Sequence, residues 1–94
     1  MLTVTPAARA RLLSKLDGRR AADDEAMRFT RKKNGWQLQL DQARPDDTAF
    51  IHDGRTVLLL DTTVAKAMAA LTLDVRNTDV GDRLKLRGIR RGSK

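Results

Sequence analysis

Apolar residues recur along this chain first at helical spacing and then at every second position. Leu2-Thr3-Val4 reads as a short strand. Thr5 follows as a helix N-cap, and Pro6 suits the first helical position, where its missing N–H costs nothing. Ala8, Leu12, Leu13 and Leu16 fall on one helical face, and Gly18 offers a stop, so the spacing predicts a helix over 6–17. Arg9 falls inside that apolar arc and is expected to snorkel outward. Residues 18–25 show no period and read as a polar loop.

The period then changes to two. Met27 and Phe29 alternate with Arg28 and Thr30, and Trp36, Leu38 and Leu40 alternate with Gln37, Gln39 and Asp41. Asn34-Gly35 between them is a strong hairpin signal, because both residue types tolerate positive φ. The phase of Trp36 with Leu38 and Leu40 assigns it to packing rather than to stacking on a ligand. After a loop containing Pro45-Asp46-Asp47 comes a strand from Thr48 to His52. Asp53-Gly54 turns, and Thr56 to Leu60, apolar on both faces, should lie centrally in a sheet. Asp61-Thr62-Thr63 can cap a second helix whose buried stripe would be Val64, Ala67, Met68 and Leu71. Strands around Leu73–Val75 and Arg83–Arg87 complete the pattern. The expectation is one α+β domain over 1–87, mostly antiparallel, with two short helices. Residues 88–94, with Ile89 their one apolar side chain, form an expected disordered basic tail.

Composition narrows the chemistry. The 94 residues include no cysteine and no tyrosine, one histidine (His52), one glutamate (Glu25) and two serines (Ser14 and Ser93). Thiolate nucleophiles, disulfides, zinc fingers and cysteine-held iron–sulfur clusters are therefore excluded. A Ser/His/Asp triad would need His52 with Ser14 or with the penultimate Ser93, which argues against hydrolysis. No glycine-rich phosphate loop is present. His52 with Asp53, Asp46 or Asp47 is the remaining metal option, and turn chemistry explains those residues better. No metal, cofactor or catalytic residue is expected, and the chain reads as a non-enzyme. No apolar run is long enough to cross a bilayer and no secretory leader is evident, so a cytoplasmic location is expected.

The net charge is +7, and it is unevenly placed. Residues 1–33 carry nine basic against four acidic residues, residues 34–82 four against eight, and residues 83–94 six against none. Candidate contacts to an anionic partner are Arg28, Arg31, Lys32 and Lys33 around the first hairpin, with Arg87, Arg90, Arg91 and Lys94 toward the C-terminus. A nucleic acid is one such partner, although no aromatic residue is interleaved with the C-terminal cations.

The ordered set LTVTPAARARLLSKL, MRFTRKKNGWQLQLD and FIHDGRTVLLLDTTVAKAMAALTLDV resembles the HesB-like family of A-type iron–sulfur carriers. The resemblance rests most on His52-Asp53-Gly54, the hydrophobic strand Val57 to Asp61, and Leu73-Asp74-Val75. It implies a β-sandwich with two short helices. It also implies three cysteine ligands, one in a loop after the second strand and two as a Cys-x-Cys pair near the C-terminus. Here the loop is Lys32-Lys33-Asn34-Gly35 and the C-terminal positions are Arg87-Gly88-Ile89-Arg90-Arg91. Lysine and arginine cannot replace thiolates at neutral pH. The resemblance thus implies the fold without the cargo chemistry. The expected role is a non-catalytic binding or adaptor protein linked to iron–sulfur assembly through a protein partner. The alternative is a basic nucleic-acid-binding module acting through its tail and first hairpin.

Overall fold

The computed structural model describes residues 2–33, 35–79 and 81–88. In chain order the elements are β1 (Thr3–Val4), α1 (Pro6–Gly18), β2 (Glu25–Lys32), β3 (Gly35–Gln42), β4 (Thr48–His52), β5 (Arg55–Leu60), α2 (Thr62–Ala67), β6 (Leu71–Thr78) and β7 (Gly81–Gly88). They form an α+β domain with two mixed sheets, ordered β1-β6-β7 and β3-β2-β5-β4. The hairpins β2–β3, β4–β5 and β6–β7 are antiparallel, whereas β1 with β6 and β2 with β5 run parallel. The expected tail, apart from Gly88 at the end of β7, lies outside the described residues.

Helix α1 begins as its sequence directs. The Thr5 hydroxyl accepts from the Ala8 N–H at 3.1 Å and donates to Asp74 Oδ1 at 2.9 Å, so one side chain caps the helix and ties it to β6. Ala8, Leu12 and Leu16 are buried in the core. Arg9 does leave the apolar face: its guanidinium donates to the carbonyls of Val4 and Ile51 and lies 5.9 Å from the Phe50 ring centre.

The C-terminal stop differs from expectation. Gly18 is the last helical residue, and Arg20 takes the left-handed conformation with φ of 53°. The Arg20 N–H reaches the Asp17 carbonyl and the Ala21 N–H reaches that of Leu16, which is the Schellman pattern. Ala21 packs partly against the core, fixing that closure. A left-handed backbone is costly for arginine and free for glycine. Arg20→Gly should therefore raise stability by about 0.5–1 kcal/mol. An unchanged or lower urea midpoint would show that this strain is absent.

The core is aliphatic, with Phe29 and Phe50 as its buried rings. In β5, Val57, Leu58, Leu59 and Leu60 are all buried, as a strand covered on both faces requires. Leu58 stands between Met27 of β2 and Phe50 of β4 in register. At the β4–β5 turn, Asp53 and Gly54 both have positive φ (51° and 77°), the geometry of a type I′ hairpin. Helix α2 is shorter than its periodicity implied. The Asp61 carboxylate caps it through the Val64 N–H at 2.8 Å, and Val64 and Met68 are buried, but Ala67 is exposed and Leu71 opens β6. Parallel pairing of β6 with β1 overrides continued helix through Ala69 and Ala70.

Candidate anionic-partner surface

Arg28 is not a surface residue. Met27 and Phe29 face the core, so Arg28 stands on the reverse face of its sheet, beside Leu59 of β5. The chain after β3 folds back over that face, leaving Arg28 only 2% exposed. Four of the five guanidinium N–H groups are engaged. Nε donates to Asp41 at 2.8 Å, and Nη1 and Nη2 donate to the two oxygens of Asp47 at 2.8 and 2.5 Å. Nη2 also reaches the Gln42 carbonyl at 3.0 Å. Arg28 is therefore withdrawn as a contact for an anionic partner, because its charge is spent on Asp41 and Asp47. The same pairing removes Asp47 from any metal site with His52, whose Nε2 lies 3.6 Å from Asp53. Among the described residues no group of three His, Cys, Asp or Glu side chains could hold a metal ion.

The other predicted contacts fall on separate elements. Arg31 is exposed on β2 opposite Trp36, with its guanidinium 5.2 Å from the half-buried indole. Lys32 and Lys33 are exposed at the hairpin tip. Trp36, Leu38 and Leu40 pack partly against the core, so the structural reading of Trp36 holds, at the rim of the sheet. Arg87 lies on β7 in the other sheet and donates to Asp74 at 2.9 Å. Arg90, Arg91 and Lys94 lie outside the described residues. The β6–β7 register adds cations that the sequence reading did not group: Arg76 stands directly opposite Arg83, and Lys85 follows in the same row.

Asp74, from the Leu73-Asp74-Val75 segment, joins three elements. It accepts from the Val75 N–H, the Thr5 hydroxyl and Arg87. These bonds, the Val75 N–H first, hold its carboxyl below the usual range. Asp47 is likewise held low, chiefly by its hydrogen bonds to Arg28. A lowered carboxyl contributes stability that is complete above the unfolded value of about 3.9 and is lost as pH falls through the folded value. The urea midpoint should therefore be level from about pH 5 to 7 and fall below about pH 4, less steeply in Asp47→Asn. A midpoint that stays level to about pH 2 would rule out this linkage.

No family model matches the sequence, and no curated protein is similar enough to count as a relative. Solved structures do match in fold. The crystal structure of SufA from Escherichia coli, involved in biosynthesis of iron–sulfur clusters, superimposes with a TM-score of 0.72. It is 21% identical, over 93% of this chain and 84% of that one. The crystal structure of IscA with a [2Fe-2S] cluster gives a TM-score of 0.61 at 20% identity, over 98% of this chain and 88% of that one. The residues present do not fit such a cluster, since no cysteine exists anywhere in the sequence. The resemblance read from the sequence thus holds at the level of fold: the chain folds as SufA and IscA do, without a thiol to hold a cluster.

Proposed function

We propose that this protein is a non-catalytic adaptor that keeps the carrier scaffold, binds a protein partner, and belongs to iron–sulfur cluster biogenesis without itself carrying a cluster. The observation that carries this reading is a carrier fold spanning 93% of the chain with no cysteine in it. Enzymatic chemistry finds little support: the single imidazole, His52, is at a turn beside Asp53. No helix among the described residues is long and apolar enough to cross a membrane.

The second reading is a basic nucleic-acid module acting through the β2–β3 hairpin and the tail. Exposed Lys32 and Lys33 favour it. Affinity purification from the native cell, with and without nuclease, separates the two. The adaptor reading predicts that proteins of iron–sulfur assembly co-purify and survive nuclease treatment. Retention that nuclease abolishes would replace it with the second reading.

A further inference from the structure

Strand β1 pairs with β6 only at Thr72 and Leu73. Beyond Asp74, β6 and β7 continue as a two-stranded ribbon to the turn at Asp79, flanked by no third strand among the described residues. Arg76, Asn77 and Arg83 are all exposed, so this end of the ribbon stands clear of the core. Side chains alternate across it. Leu73, Val75, Leu84 and Leu86 pack toward the core, which leaves Asp74, Arg76, Arg83, Lys85 and Arg87 on the outward face. A shallow groove along that face is lined by Asp74, Arg76, Lys85 and Arg87.

Two features of this face point to a ligand. Arg76 and Arg83 are direct cross-strand neighbours, and like charges so placed destabilise a sheet. Asp74, the acid in the row, is already bound by Arg87, Thr5 and Val75. Among the described side chains no ion pair engages Arg76, Arg83 or Lys85. The spacing is also regular: Arg83, Lys85 and Arg87 recur every second residue of β7, or about 7 Å. A straight row of cations at this pitch presents several positive charges together to a polyanion, whose backbone carries one charge per phosphate.

We propose that the outward face of the β6–β7 ribbon, built from Arg76, Arg83, Lys85 and Arg87, binds the phosphate backbone of duplex nucleic acid independently of sequence. This goes beyond the adaptor reading and places the contact away from the β2–β3 hairpin. Arginine's planar fork suits phosphate oxygens, and a bound polyanion removes the Arg76–Arg83 repulsion. Contact to phosphates alone confers position without base readout.

The test uses the full chain and a labelled 20-base-pair DNA duplex titrated across a series of salt concentrations. Arg76→Gln/Arg83→Gln/Lys85→Gln should weaken binding about tenfold or more at low salt. It should also flatten the slope of log K against log salt by up to about 2.7, or 0.9 per lost phosphate contact. Its melting temperature should match or exceed the parent's, because a repulsive pair has been removed. If the triple variant does not fold, Lys85→Gln alone carries the test, with a slope change of about 0.9. Lys32→Gln/Lys33→Gln should change binding less than the ribbon variant. Unchanged binding by the ribbon variant, loss confined to the hairpin variant, or polyglutamate binding as tightly as the duplex would each overturn the proposal.

Discussion

Arg28→Ala is expected to destabilise the protein by about 3–5 kcal/mol, because it strands two carboxylates of which Asp47 is only 3% exposed. That loss is a large share of the roughly 5–15 kcal/mol that holds a native domain together, so the variant's urea midpoint should fall far below the parent's. The cost comes from uncompensated charge rather than from lost attraction. Replacing partners together by apolar side chains, as in Arg28→Met/Asp47→Leu, should therefore recover much of the loss. Urea denaturation of the single and double variants decides it. A single variant within about 1 kcal/mol of the parent would show that water reaches this network.

Leu58→Ala should cost about 3–5 kcal/mol, near the top of the usual range for a buried leucine. Leu58 is fully buried between Met27 and Phe50, in a strand held on both sides, so neighbours cannot collapse into the space. Leu38→Ala on β3, a partly buried residue at the sheet edge, should cost clearly less. Equal losses at the two positions would mean that the order β3-β2-β5-β4 does not describe where the core lies.

Much of this fold was legible from the residues. Thr5 and Pro6 marked the start of α1, alternation marked β2 and β3, and the doubly apolar run in β5 marked the central strand. Alternation also puts Arg28 on the face opposite Met27 and Phe29, and nothing within that strand shows that the face is covered. A correct reading needed one more step. If β5 is apolar on both faces, the reverse face is covered there, and the strand beside it must bury its reverse-facing residue too. Asp41 and Asp47 were the counter-charges in view, but their approach depends on a fold-back that composition does not encode. Helix α2 misled for a different reason. Alanine favours helix locally, while the pairing of β6 with β1 is a long-range contact that local periodicity does not contain. The Arg76–Arg83 pair likewise depends on register across the β6–β7 turn, which places two arginines seven positions apart side by side.

The central claim is that this chain has the fold of SufA and IscA and yet cannot hold an iron–sulfur cluster. Anaerobic incubation of the purified protein with iron and sulfide, followed by desalting, a visible absorption spectrum and metal analysis, tests it most directly. The predicted result is a colourless protein with no stoichiometric iron or sulfide, since no thiolate is present to bridge or terminate a cluster. A stable visible band with iron and sulfide in stoichiometric amounts would contradict the account and require oxygen or imidazole ligands that are not brought together among the described residues.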